Sequence, residues 1–168
     1  MANLTIGKKK YANVEEELIA LREKAYILQK ELLELMDKDA QVFEPLSKAY
    51  GLPKNTEEEK AYKEMVMEQV LKEASAVPME IMEKVCEAIL LHKEFAKKGS
   101  KIVISDAGVG VTICRSALLG ASLNVFINTK SMKDRAYAEQ LNQKAEEMLA
   151  IYTKMADEIF NEVKEQLV

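Results

Sequence analysis

From Leu18 to Leu46 the apolar residues fall at alternating intervals of three and four: Leu18, Leu21, Ala25, Leu28, Leu32, Leu35, then Val42 and Leu46. That spacing gathers them on one stripe of an α-helix, whereas a strand, with its two-residue repeat, would scatter them over both faces. A second seam of the same kind runs through Leu141, Ala145, Met148, Tyr152, Met155, Ile159 and Val163. Interruptions are few, with three prolines and six glycines in 168 residues, and no persistent two-residue alternation occurs anywhere. The pattern predicts an all-α chain, folded as one domain over residues 1–168 in an antiparallel helical bundle.

Start and stop signals divide the chain into about five long helices. The first runs from about Asn13 to Tyr50 and is ended by Gly51-Leu52-Pro53. Thr56-Glu57-Glu58-Glu59 has the form of a capping box and opens a second helix, to about Ala74. Pro78 suits the first turn of a third, which Gly99 stops after Lys98. Ser105 or Asp106 is the N-cap expected for a fourth, Ala107 to Thr129, and Ser131 to Asp134 opens a fifth that continues to near Val168. Ile102-Val103-Ile104 reads as a short extended connector.

The fourth segment is unlike the others. Arg115 is its only charge between Asp106 and Lys130, and Gly108, Gly110, Ala117, Gly120, Ala121 and Ser122 make it rich in small residues. A helix apolar on all sides is expected at the centre of a bundle, packed on several faces. Even so, no run of about 18 purely apolar residues occurs, so no membrane span is expected. The N-terminal residues are too polar and too short for a secretory signal, and the chain reads as cytoplasmic.

The residue inventory narrows the chemistry. A net charge of −4 argues against a nucleic-acid partner. One histidine, His92, and two cysteines, Cys86 and Cys114, cannot build a Cys/His zinc site or a disulfide framework, so no metal is expected. Acid–base work must then fall mainly to carboxylates, lysines or tyrosines. Gly108-Val109-Gly110 lacks the spacing and the strand of a dinucleotide fingerprint. The nine methionines serve as core filler, and His92 reads as a partly buried histidine on an apolar face.

Asp39 stands out because it occupies the seam position between Leu35 and Val42. Burying a lone carboxylate costs several kcal/mol, and burial raises its pKa toward the range useful for proton transfer. Two uses fit that position equally: proton transfer, or a structural partnership with a lysine or a neighbouring helix end. Asn124 and Asn128 lie four apart on the apolar fourth segment, so their amides share a face and need partners. An interhelical hydrogen-bond network accounts for them, as does an amide-rich heterocycle such as a pterin. Asp106 reads locally as a helix cap. Lys8-Lys9-Lys10 reads as a solvated charge run that can also hold a carboxylate.

Taken in order, several segments resemble the formiminotetrahydrofolate cyclodeaminase family, which includes bacterial methenyltetrahydrofolate cyclohydrolases. They are Asn3-Leu4-Thr5-Ile6-Gly7-Lys8-Lys9-Lys10-Tyr11, Asp37-Lys38-Asp39-Ala40-Gln41-Val42-Phe43, Leu52-Pro53-Lys54-Asn55-Thr56, Ala76-Val77-Pro78, Ser105-Asp106 and Asn124-Val125-Phe126-Ile127-Asn128. The resemblance implies an all-helical homodimer that binds a tetrahydrofolate derivative as substrate and needs no further cofactor. It implies that Asp39 carries the proton transfer and that Asp106, Asn124 and Asn128 belong to the substrate site. It also implies that Lys8 and Lys9 contact the acidic tail of the folate. Arg115 matches no motif of the family. Members usually begin with a further helix and a glycine-rich loop ahead of the segment matched by Met1-Ala2-Asn3-Leu4, so the resemblance leads one to expect an N-terminally truncated relative. The alternative is a non-catalytic helical dimer that binds folate or acts as a scaffold.

Overall fold

A computed structural model describes residues 1–168. It contains four long helices: α1 (Glu15–Tyr50), α2 (Glu57–Lys98), α3 (Ser105–Ser131) and α4 (Arg135–Glu165). Short 3-10 turns at Ala2–Leu4, Lys9–Val14 and Lys101–Val103 supply the N-terminal entry and the α2–α3 connection, so the expected extended connector is a helical turn instead.

The expectation of about five long helices is corrected at Pro78, which lies inside a continuous 42-residue α2. A proline in a helix interior leaves the carbonyl four residues earlier without its donor. That carbonyl belongs to Ala74, and the side-chain amide of Asn128 on α3 donates to it at 3.0 Å. The carbonyl left free by the proline is thus satisfied from a neighbouring helix. Elsewhere the local signals hold. Thr56 and Glu59 form the capping box, with the Glu59 N–H donating to the Thr56 hydroxyl at 3.1 Å and the Thr56 N–H donating to the Glu59 carboxylate at 3.2 Å. Asp134 caps α4 by accepting from the Tyr137 N–H at 3.1 Å. The cap expected from Ser105 or Asp106 does not form; Ile104 precedes α3 with no side-chain cap, and Asp106 lies exposed in its first turn.

The core forms where α2, α3 and α4 meet. Met82, Val85 and Ile89 of α2 pack with Val111, Leu118 and Val125 of α3 and with Ala145, Ile159 and Val163 of α4. Small residues bring the backbones close. A Cβ at Gly110 would fall 2.1 Å from the His92 ring, and one at Gly108 would fall 3.0 Å from Val163. At the other end of the bundle, Leu46 and Ala49 of α1 join Val70, Leu71, Ala74, Met132 and Ala138 in a smaller cluster.

One expectation about α3 is also corrected. By length and composition alone α3 reaches the measure of a membrane span, but it is not packed all round. One flank lies against α2 and another against α4, but a third is bare. Along it Val109 is 61% exposed, Ile113 64%, Leu123 66% and Ile127 66%.

Candidate active site

Of the long helices, α1 packs an interface against α2 alone, whereas α2 also packs against α3 and α4. A trough therefore opens along α1 where α2 forms the floor. Its middle is apolar and has a volume of about 300 Å³, lined by residues including Leu32, Leu33 and Met36 of α1 and Ala88, Leu91 and Phe95 of α2. At one end it continues into a more polar cleft of about 250 Å³, where Arg22, Tyr26 and Gln29 of α1 face His92 of α2 and Asp106 of α3.

Asp39 stands one helical turn beyond Met36, at the other end of the trough. It is half-buried rather than sealed in the helix interface, so the expectation of deep burial is corrected. Its expected structural partners are otherwise engaged. Lys38 pairs with Glu80 at 2.9 Å and Lys84 with Glu31 at 2.8 Å, leaving no lysine at this level for Asp39. It caps no helix either, since α2 is capped by Thr56 and α4 by Asp134.

The Lys38–Glu80 pair fixes the register of α1 on α2, and the Asn128–Ala74 bond fixes that of α3 on α2. Residues 74 and 80 are six apart, so Asp39 and Asn128 stand within roughly 9 Å of the same level along the bundle. Asn128 has its structural use, the repair of α2, as the interhelical reading expected. Asn124 is exposed, against the expectation of a buried amide. It shares the flank of α3 on which Asp106 lies, because the two are about five turns apart.

Asp106, Lys8 and Lys9 occupy the opposite end of the molecule. The Asp106 carboxylate lies 3.4 Å from the amino nitrogen of Met1. The segment carrying the exposed Lys8 and Lys9 is held against the α2–α3 turn, where the Thr5 hydroxyl accepts the Ser100 N–H at 3.0 Å and the Tyr11 hydroxyl accepts the Lys101 N–H at 3.4 Å. From Asp106 to Asn128 along α3 is roughly 33 Å. Along the bundle axis, the residues expected to form a single site therefore fall at two levels, Asp39, Asn128 and Asn124 at one and Asp106 with the lysines at the other.

His92 is the cleft residue that sequence reasoning undervalued. Burial, with a smaller contribution from the N-terminal ammonium, lowers its pKa, so the ring is neutral at neutral pH. It lines both parts of the trough, and Gly110 opposite it leaves room for the ring. The two cysteines are held as thiols by burial, with Cys86 pushed up to about 12.

A trough of this kind, apolar in the middle, with an unpaired carboxylate one turn past its last lining residue on α1, suits a flat heterocycle on which a proton must be moved. Comparison with known proteins gives the arrangement its context. The profile of the formiminotransferase-cyclodeaminase family matches residues 1–147. The chain belongs to that family. It is 40% identical over 167 residues to the methenyltetrahydrofolate cyclohydrolase of Methylorubrum extorquens, an alignment covering 99% of this chain and 80% of that protein. It is 30% identical over 146 residues to the formimidoyltransferase-cyclodeaminase of Sus scrofa, covering 87% of this chain but 27% of that longer enzyme. Among solved structures, the formiminotetrahydrofolate cyclodeaminase of Thermotoga maritima superposes with a TM-score of 0.77 at 28% identity, covering 99% of this chain and 77% of that one. The all-helical architecture of this formiminotransferase-cyclodeaminase family member is thus shared with a solved relative.

Proposed function

We propose that this chain is a folate one-carbon enzyme that opens the ring of 5,10-methenyltetrahydrofolate with water to give 10-formyltetrahydrofolate, with Asp39 as the proton-transfer group. The single observation that carries this reading is the state of Asp39: half-buried, unpaired, and one turn beyond the apolar trough. The cyclohydrolase is favoured because a relative of that name aligns at 40% identity over nearly the whole chain.

In the step, Asp39 takes a proton from water as the water oxygen bonds to the methenyl carbon. The same carboxyl then returns a proton to N5 as the bond between that carbon and N5 breaks, leaving the formyl group on N10. Net, one water is consumed and one proton is released. Water and proton transfer suffice, so the proposed step asks for no metal or redox group. General acid–base help of this kind is worth roughly 10²–10⁴-fold in rate. The apolar side chains of Leu32, Leu33 and Met36 would hold the ring system and keep bulk water off the reacting carbon.

Cyclodeamination is the second reading, favoured by the likeness to the Thermotoga maritima cyclodeaminase. There N10 of 5-formiminotetrahydrofolate, whose formimino group enters protonated as an amidinium, bonds to the formimino carbon, Asp39 takes the N10 proton and passes it to the amino nitrogen, and that nitrogen leaves as ammonia to give the methenyl cation. We further propose that the chain works as a homodimer in which Asp106, Asn124, Lys8 and Lys9 serve folate binding.

The test follows methenyltetrahydrofolate absorbance with each folate offered in turn. Asp39→Asn is expected to reduce turnover by roughly 10²–10⁴-fold with little change in melting temperature. Turnover at the wild-type rate in the variant would remove the mechanism. A tenfold or greater rate preference for the formimino substrate would decide for the second reading.

A further inference from the structure

The furrow that holds the apolar trough runs on past Asp39. At the polar cleft its floor is α2, one wall is α1 and the other is the start of α3. Asp39 belongs to the trough flank of α1, three residues from Met36 and seven from Leu32. On the floor, Ala88, Leu91, His92 and Phe95 face the trough, and the residues four heptads earlier are Lys60, Lys63, Glu64 and Met67. Positions so related keep to one side of a helix, with a drift of roughly 80° over four heptads. The four earlier residues line a second pocket, of about 240 Å³. Its walls are again α1 and α3, here at their other ends. The Lys63 ammonium donates to the carbonyls of Tyr50 at 2.6 Å and Leu52 at 2.8 Å, where α1 stops, and Glu64 pairs with Lys133, just past α3.

Four lysines, Lys54, Lys60, Lys63 and Lys133, meet in this pocket with two glutamates, Glu64 and Glu68. Both acids are engaged. Glu64 holds Lys133, and Glu68 accepts the backbone N–H groups of Lys133 at 2.7 Å and Asp134 at 3.1 Å. The lysines are less evenly matched. Lys60 reaches Glu57 at 2.6 Å, but that carboxylate is 90% exposed and weakly held, and Lys54 on the α1–α2 turn has no acidic partner. Lys54 and Lys60 therefore leave positive charge at the mouth of the pocket, where it attracts anionic groups.

We propose that this lysine pocket takes the carboxylates of the substrate's glutamyl tail, so that the folate lies with its pteridine in the apolar trough, its one-carbon unit at Asp39 and its tail toward the end of α1. The assignment rests on the folate reading. Its direction follows from the chemistry of the reacting carbon, which bridges N5 of the pteridine and N10 of the aminobenzoyl group. Ring and tail leave that carbon on opposite sides, so a ring held in the trough sends the tail out past Asp39. The lengths agree. Asp39 and Tyr50 are eleven residues, or roughly 16 Å, apart along α1. Eight bonds separate N10 from the first tail carboxylate, roughly 10 Å when extended, and the five bonds of a lysine side chain cover the remainder. Lys8 and Lys9 lie beyond the opposite end of the trough, on the segment held against the α2–α3 turn.

The experiment compares 5,10-methenyltetrahydropteroate, which has no tail, with the triglutamate of 5,10-methenyltetrahydrofolate, in the wild type and in a Lys54→Gln/Lys60→Gln variant. Both lysines are exposed, and the melting temperature checks that the variant is folded. Each exposed ion pair is worth up to about fivefold, so wild-type kcat/KM should favour the triglutamate by roughly tenfold. In the variant that ratio should fall to about twofold or less, through KM, and added salt should erode it in the wild type. A ratio unchanged in the variant overturns the pocket. A ratio that collapses in Lys8→Gln/Lys9→Gln and survives in Lys54→Gln/Lys60→Gln overturns it as well, and sends the tail the other way. A second arm needs no turnover. p-Aminobenzoyltriglutamate, the tail without the pteridine, is titrated calorimetrically at low salt, and its Kd should be at least fivefold lower for the wild type than for Lys54→Gln/Lys60→Gln. A wild type that turns over no folate sinks the folate reading. The calorimetric arm then decides the pocket alone: lysine-dependent binding keeps it as a polycarboxylate site, and equal or absent binding in the two proteins overturns it.

Discussion

His92 owes its surroundings to a single missing methyl group. Only a residue without a Cβ fits at position 110, because any larger one would overlap the ring, and the ring fills that space at the meeting of α2 with the trough. Burial disfavours the imidazolium, so the folded-state pKa lies below the ordinary value of about 6.5. The sign of the linkage follows. As pH falls, the unfolded chain takes up this proton first, so full stability is present above about pH 6.5 and is lost as pH falls toward the folded-state value. Lysines and carboxylates paired elsewhere do not blur this window. The lowered pKa values of Glu44, Glu94 and Asp134 place their losses at lower pH, and the raised values of Lys72, Lys84 and Lys98 place theirs at higher pH. The melting temperature of the wild type should therefore fall between about pH 7 and pH 5, and a His92→Gln variant should show a flatter profile there. Equal slopes in both proteins would mean that His92 does not titrate across this range.

At the scale of elements, the carbonyl that Pro78 leaves free in α2 takes its hydrogen bond from α3. Asn128→Leu removes the only donor found for the Ala74 carbonyl and should cost about 1–3 kcal/mol, read as a lower denaturation midpoint. Pro78→Ala restores a backbone N–H four residues after Ala74, so the same Asn128→Leu change in that background should cost much less. Additive losses in the two variants would show that the amide and the proline act independently. This pair also shows why the sequence led to five helices. The capping box at Thr56 and the cap at Asp134 are local, each within one turn, and both were readable from the residues alone. At Pro78 the compensating donor comes from fifty residues away, on a side chain whose position on α3 no local pattern reveals. The site divides in the same way. Asp39 was legible as an acidic intrusion in an apolar seam, because the seam itself is periodic. The exposure of Asn124 was not legible, because an all-apolar helix does not disclose which of its faces the neighbouring helices leave bare.

For the whole molecule, the decisive asymmetry is that α1 has one extensive helix interface, against α2, with only its last turns reaching the cluster at Met132 and Ala138, whereas α2 packs against all three other helices. Detaching α1 would expose the faces of α1 and α2 that meet through Leu18, Leu28 and Leu35, but would leave the joint core of α2, α3 and α4 intact. The ion pairs that fasten it, Lys38 with Glu80, Lys84 with Glu31 and Glu17 with Lys98, are all partly exposed and each add little. Local opening follows such differences in buried contact, and elements attached on one side open at lower free energy than those shared among several neighbours. Native-state hydrogen exchange should therefore find the amides of α1 from Glu23 to Lys38 exchanging through a lower-energy opening than those of α2 from Val77 to Ile89 and α3 from Val111 to Val125. Because the trough is bounded by α1, a folate that binds there should raise α1 protection selectively, while the protection of α4 should scarcely change. Uniform protection across all four helices would instead show a single cooperative unit, with α1 held as firmly as the rest.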